Sequence, residues 1–186
     1  MPERLKESER HDSQRGWFGY ELYKHMDQNN DIYLVTADLG YGLFDKIRKN
    51  FPERFYNVGA SEQAGVGICV GLALEGKIPF FYSITTFLLY RPFETIRNYI
   101  DHEQIPVRLV ASGRDRDYAH DGFSHDSTDA KRLFFSREMY PFPTPVENGP
   151  IFNNIEALWP DTKEEIPDMV ERMVREDKPW FISLRR

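Results

Sequence analysis

An acidic residue at the mouth of a glycine-rich helical pattern is the first candidate for chemistry. Glu62 lies in the run Asn57-Val58-Gly59-Ala60-Ser61-Glu62-Gln63-Ala64-Gly65-Val66-Gly67, which leads from a short apolar segment into a helix. In a doubly wound sheet, a strand-to-helix turn of this kind is where ligands bind. The residue types also allow a purely structural reading. Ser61 would cap the helix, Glu62 would complement its dipole, and Gly65, Gly67 and Gly71 would permit close helix packing. A dinucleotide loop fits less well. Gly71 falls one residue late for Gly-x-Gly-x-x-Gly, and the glycines sit inside the helical pattern instead of before it.

Other groups stand farther along. His120-Asp121-Gly122-Phe123-Ser124-His125 places two histidines around a carboxylate in a polar loop. That loop reads either as solvated or as a site, and without a third spaced ligand no metal is assigned to it. Phe87, Tyr90 and Phe93 fall at i, i+3 and i+6. One helical face or a turn could present them together, and ordinary core packing produces the same spacing. Asp38, followed by Leu39, reads as a loop acid or a cap. The single cysteine, Cys69, lies in an apolar stretch and reads as a buried, inert thiol.

These residues need a frame. Short apolar runs at Ile32–Thr36, Phe55–Val58, Ile78–Tyr82, Val107–Ala111, Ile155–Leu158 and Trp180–Leu184 are rich in β-branched and aromatic residues and mostly lack alternation. Continuous apolarity predicts strands covered on both faces. Helical patterns separate them at Gln14–Gln28, Phe44–Asn50, Glu62–Glu75, Phe93–Glu103, Ser127–Phe135 and Thr162–Arg175. Gly76 suits the end of the third, and Ile166, Met169, Val170 and Met173 form an apolar stripe in the last. The expected fold is α/β, a three-layer, open, mostly parallel six-stranded sheet with helices on both faces. Residues 1–30 form an arm and first helix, and residues 31–186 the rest of one domain. The stretch 136–154 carries Pro141, Pro143, Pro145 and Pro150 with Tyr140, Phe142 and Phe152. It reads as an ordered excursion that packs on its own domain or makes a subunit contact.

Composition limits the function classes. Of 186 residues, 40% are hydrophobic and 15% aromatic, enough for a core and too many for a disordered chain. The net charge of −6 is spread over interleaved acids and bases, with no basic block for nucleic acid or a membrane surface. One cysteine leaves no disulfide framework within the chain, and no apolar run approaches the length of a membrane span. The charged N-terminal stretch lacks a signal-like apolar region, so a cytoplasmic location is expected.

The stretch from Asn57 to Phe80 resembles the pyrimidine-binding domain of transketolases, especially the family's split-chain forms. It matches nearly in full their Asn-Val-Gly-x-x-Glu-Gln pattern, the glycine/alanine-rich helix, and the following Gly-Leu-Ala-Leu-Glu-Gly-Lys-Ile-Pro-Phe. The resemblance continues through Phe87, Arg97 and Asn98 to Asp121-Gly122, covering roughly residues 31–130 well. It implies a thiamine diphosphate enzyme that moves a two-carbon ketol unit from a ketose-type donor to an aldehyde acceptor. Glu62 would then hydrogen-bond N1′ of the cofactor's aminopyrimidine. Phe87, Tyr90 and Phe93 would line the ring's slot, and Asp38 and Leu39 would lie near the cofactor. The loop at 120–125 is similar to the family's Glu-Asp-Gly-Pro/Ala-Ser/Thr-His, so Asp121 and His125 would contact substrate, with His125 also catalytic.

Two departures modify that expectation. Gly113 stands about where the family carries a substrate-facing histidine, within Gly113-Arg114-Asp115-Arg116-Asp117-Tyr118. Arg114 and Arg116 read as anion ligands or as solvated loop charges. The sequence also contains no Gly-Asp-Gly, the family's Mg²⁺ and diphosphate motif, and Arg185-Arg186 follow directly on the last expected strand. The resemblance therefore implies a separate diphosphate-binding chain carrying Mg²⁺, a homodimer contact and an α2β2 heterotetramer. A 2-oxo acid decarboxylase or acyloin-forming enzyme built from the same modules, and a non-catalytic assembly subunit, are the alternatives.

Overall fold

All six expected strands form, and they hydrogen-bond into one sheet with every neighbouring pair parallel. The structure is a computed structural model that describes residues 5–135 and 150–186. The strands are β1 (Ile32–Thr36), β2 (Phe55–Asn57), β3 (Ile78–Ile84), β4 (Arg108–Ser112), β5 (Glu156–Leu158) and β6 (Trp180–Leu184), in the order β2-β1-β3-β4-β6-β5. The helices are α1 (Gln14–Gln28), α2 (Asp45–Asn50), α3 (Glu62–Leu74), α4 (Thr85–Tyr90), α5 (Phe93–Thr95) and α6 (Ile166–Arg175).

Period-2 alternation within the strands sorts the core into two layers. Val35, Phe81, Leu109, Ala111 and Phe181 face one way, with Val66, Cys69, Leu88, Leu89 and Ile96 from α3, α4 and the chain after α5. Leu34, Phe80, Tyr82, Val110 and Ile182 face the other way, with Phe18 and Leu22 of α1, Ile47 of α2, and Val170 and Met173 of α6. β4 and β6 are buried along their whole length, which is why they read as continuous apolar runs. The chain leaves β1 toward β2 on one side, while β3 leads on to β4 on the other. The crevice at the carboxyl ends of β1 and β3 is thus the topological switch point, where open α/β sheets bind ligands.

Three helical expectations change. Phe93–Glu103 is a single α-turn followed by a π-helical stretch, Ile96–His102. The buried Asp101 within it accepts from the backbone N–H groups of Asn154 and Ile155 at 2.8 and 3.2 Å. Ser127–Phe135 narrows to a 3-10 turn, Ala130–Leu133. Asp126 and Ser127 bond elsewhere instead: Asp126 accepts locally from Thr128, and the Ser127 hydroxyl donates to the carbonyls of Gly113 and Asp115 on the loop after β4. Thr162–Arg175 begins with a 3-10 turn, Lys163–Glu165, closed by a capping box between Thr162 and Glu165. Most of the proline-rich excursion, with Tyr140 and Phe142, lies outside the described residues. Phe152 is in the core, packed on Phe93 and Phe134.

Candidate active site at the carboxyl edge of the sheet

Glu62 is the first residue of α3 and is only 2% exposed. A buried carboxylate needs hydrogen-bond partners and a counter-charge. The Ser83 hydroxyl, at the end of β3, donates to Oε1 at 3.3 Å, and Arg91 Nη1 donates to Oε2 at 2.7 Å. The α3 N-terminus adds a favourable dipole. Ser61 occupies the N-cap position without a side-chain cap bond. Gly65 serves close approach: a Cβ there would lie 2.3 Å from the ring of Phe81, so α3 can seat on β3 only with glycine at this position.

The element that organises the site is α4, which the sequence reading did not anticipate. Its threonines, β-branched and directly after a strand, give no helical signal. Tertiary hydrogen bonds hold them. The Thr85 hydroxyl donates to the carbonyls of Ser112 and Gly113 at 3.1 and 2.6 Å, and that of Thr86 to the carbonyl of Ser124 at 2.7 Å. Phe87 then meets the His125 ring edge-on, with centroids 4.8 Å apart. Four residues on, and so on the same helical face, the Arg91 guanidinium lies 3.8 Å above the Phe87 ring.

The structure therefore brings Glu62, Phe87 and His125 together through α4. Tyr90 and Phe93 take other neighbours, because α4 ends at Tyr90 and Pro92 starts a new turn. Phe93 packs on Phe152, and Tyr90 hydrogen-bonds Asp129; burial first, then that acid, raises the Tyr90 hydroxyl above its usual range. Asp38 follows β1 with φ +53° and is exposed. Its carboxylate, held below the usual range first by the Tyr41 hydroxyl and then by Asn57, accepts from both. Asn57 Oδ1 in turn accepts from the N–H groups of Asp38 and Gly59 at 2.9 and 3.0 Å, tying the β1 loop to the turn that leads to Glu62. His125 Nδ1 bonds the Ser124 hydroxyl at 3.0 Å, and Asp121 sits 3.2 Å from His120.

A cavity of about 260 Å³ opens at the switch point. Its walls include Leu39 from the β1 loop, Tyr82 and Ile84 of β3, and Tyr118 and Asp121 from the loop after β4. Its cation is Arg15, in the first turn of α1, a residue the sequence reading passed over because nothing local marks it. Arg15 Nη1 donates to the Tyr118 hydroxyl at 2.9 Å, while its Nε is buried without a hydrogen-bond partner among the described residues. A guanidinium in the lining of a cavity suits an anionic ligand.

The 113–118 loop has a packing logic. Gly113 has φ +82°, and a Cβ there would lie 2.1 Å from the Tyr118 ring. A glycine at 113 lets Tyr118 fold back onto the cavity, where its hydroxyl also meets Ser112 Oγ at 3.0 Å. Arg114 is neither an anion ligand nor a solvated charge. It is 3% exposed and donates to the carbonyls of Pro160 and Ser183, fastening the loop to β6. Arg116 is exposed and pairs with Asp126 at 3.5 Å.

Comparison with known proteins agrees with this fold. The family model described as "Transketolase, pyrimidine binding domain" matches residues 13–186. A putative transketolase C-terminal section from Methanocaldococcus jannaschii is 35% identical over 112 residues, 60% of this chain and 35% of that protein. A 1-deoxy-D-xylulose-5-phosphate synthase from Dehalococcoides mccartyi is 36% identical over 171 residues, 91% of this chain and 24% of that protein. The chain thus spans 35% or less of the length of these relatives. Among solved structures, a split-gene transketolase described as an inactive beta4 tetramer superposes with a TM-score of 0.75 at 26% identity, covering 94% of this chain and 51% of that one. The Campylobacter jejuni transketolase shares the fold, with a TM-score of 0.75 at 15% identity over 99% of this chain and 27% of that one.

Proposed function

Since this chain belongs to the transketolase pyrimidine-binding domain family, we propose that it is the pyrimidine-binding part of a split thiamine diphosphate enzyme that transfers a two-carbon ketol unit from a ketose-type donor to an aldehyde acceptor. The observation that carries this reading is the pairing of the buried Glu62 carboxylate with the face of Phe87. Between them they already hold a flat N–H donor, the Arg91 guanidinium. An acceptor oxygen beside a ring face fits an aminopyrimidine, which is also flat, stacks on aromatic rings and, when protonated at N1′, donates that N–H to a carboxylate.

When bound, the cofactor supplies the nucleophilic carbon and the electron sink for the ketol fragment. Glu62 Oε2 would hold a shared proton against ring nitrogen N1′, with Ser83 keeping the opposite carboxylate oxygen in place. Phe87 would support the ring face. Ser124 fixes the His125 ring through Nδ1, which leaves Nε2 to meet a substrate hydroxyl. Asp121 contributes a second hydroxyl contact at the cavity wall, and Arg15 takes an anionic end of the sugar. Asp38 and Leu39 border the same edge. A separate chain that binds the diphosphate through Mg²⁺ completes the enzyme, in an α2β2 assembly in the cytoplasm. The split-gene and C-terminal-section relatives support that division of labour.

Replacing Glu62 by Gln tests the reading. In the assembled complex, turnover should fall by roughly 100-fold or more while folding and assembly persist. Undiminished turnover would sink it. A second reading, a 2-oxo acid as donor, rests on the altered loop Gly113–Tyr118, where Gly113 stands at the position expected for a substrate-facing histidine. Turnover with a 2-oxo acid but not with a ketose donor would select it.

A further inference from the structure

Arg91 occupies an unusual position for a half-exposed arginine. Its side chain is 45% exposed, yet its guanidinium reaches inward to a carboxylate that is 2% exposed. Two contacts hold it there. Nη1 donates to Glu62 Oε2 at 2.7 Å, and the guanidinium carbon lies 3.8 Å from the Phe87 centroid, over the ring. The geometry follows from the helix: Arg91 caps the carboxyl end of α4, four residues after Phe87, and its N–H bonds the Phe87 carbonyl. A guanidinium and an aminopyrimidine are alike in the features that matter here. Each is flat, stacks on an aromatic face and presents an N–H at its edge to a carboxylate, the pyrimidine doing so once its ring nitrogen carries a proton.

We propose, on the basis of the cofactor reading above, that Arg91 is a displaceable occupant of the pyrimidine slot: it makes the hydrogen bond to Glu62 and the stack on Phe87 that the aminopyrimidine makes, and it swings outward when that ring enters. One oxygen of a carboxylate and one ring face cannot serve both groups in the same geometry. Ser83 stays on Oε1 throughout, so Glu62 keeps its orientation during the exchange. The partial exposure of Arg91 gives its guanidinium a path to water without unfolding α4. Arg91 therefore acts as a positioning residue that supplies Glu62 with a counter-charge and lowers apparent cofactor affinity by the fraction of molecules in which it is docked. The site becomes selective for ligands able to repay both contacts. A flat ring without an N–H donor, or a donor without a ring, displaces it poorly.

Binding, not turnover, tests this. Thiamine, which carries the aminopyrimidine but no diphosphate, is titrated into the full chain and followed by ligand-observed NMR. Arg91→Met should bind thiamine about tenfold tighter than the parent, the combined effect of removing an ion pair open to solvent only on its arginine side and a cation–π contact. Arg91→Lys, which keeps the charge but loses the flat fork, should fall between them. In the arginine-labelled parent, the Arg91 Nε–H signal should move toward its solvent-exposed position as thiamine saturates. If the parent binds thiamine, Glu62→Gln weakens that binding, and Arg91→Met binds no tighter than the parent, the displacement inference is overturned while the cofactor reading stands. If neither the parent nor Arg91→Met binds thiamine at millimolar concentration, the displacement inference is overturned, and the cofactor reading is decided separately by the turnover of Glu62→Gln in the assembled complex.

Discussion

Arg15 Nη1 donates a hydrogen bond to the Tyr118 hydroxyl at 2.9 Å, joining the first turn of α1 to the loop after β4 across 103 residues of chain. Tyr118 passes the link on to Ser112 at the end of β4, 3.0 Å away. The contact joins two residues of the switch-point cavity's lining and places a cation there.

Arg15→Met should act on substrate binding. With a phosphorylated donor, KM is expected to rise by about tenfold, roughly the 1.4 kcal/mol of one charge-assisted contact, with kcat changing less. A non-phosphorylated ketose should show little change. The check is steady-state kinetics of the assembled enzyme with both donors. Equal losses for both would mean that Arg15 does not read the anionic group.

Gly113→Ala should destabilise the fold by about 1–3 kcal/mol, because the left-handed backbone and the Tyr118 ring both resist a side chain there. Adding Tyr118→Ala should recover the steric share and leave the backbone share. A double-mutant cycle by urea unfolding measures this coupling.

Arg108 is 1% exposed inside β4, and burial pushes its guanidinium down to about 10. Its Nε and Nη2 donate to the carbonyls of Met173 and Glu176 at 2.8 and 3.0 Å, and Nη1 donates to that of Pro106. It therefore caps the carboxyl end of α6 from the sheet. Arg108→Met orphans these acceptors and should cost about 2–4 kcal/mol in chemical denaturation. A neutral result would show that water replaces the side chain.

Burial raises the Tyr82 hydroxyl to about 12, partly offset by hydrogen bonds from Ser112 and Arg15. The folded state therefore holds this proton more tightly than the unfolded chain. The contribution is fully present below pH 10 and is lost as pH rises from about 10 toward 12, on the order of 3 kcal/mol in all. Burial pushes the Cys69 thiol up as well, which adds a loss in the same direction beginning near its ordinary value. Tyr82→Phe should flatten the upper part of the alkaline stability curve, followed by thermal melts together with tyrosinate absorbance. An unchanged slope would assign the loss to other groups.

Much of the architecture is legible in one dimension because strand burial leaves a local trace. Residues buried on both faces must be apolar in succession, so β1, β3, β4 and β6 announce themselves within a few residues. Helices with long apolar stripes, such as α6, do the same. Glu62 was legible as well, since an acid between a strand end and a glycine-rich helix sits where ligands bind. The glycine at 65 was visible without its reason, which is the ring of Phe81 on another element.

The residues around Glu62 obey a different logic. α4 has no local helical signature, because its threonines are held by carbonyls of Ser112, Gly113 and Ser124, which are distant in sequence. Those bonds decide that Phe87 faces His125 and that Arg91, not Tyr90 or Phe93, shares its face. Arg114 read as a loop charge and proved a buried staple, and Arg15 gave no signal until the cavity put it opposite Tyr118. The sequence alone determined the fold class, the strand positions and the acid at the mouth of α3, since each depends on burial and spacing along the chain. Which groups surround that acid was decided only by tertiary structure, because side-chain pairing across the switch point depends on hydrogen bonds between segments that have no periodic relation to one another.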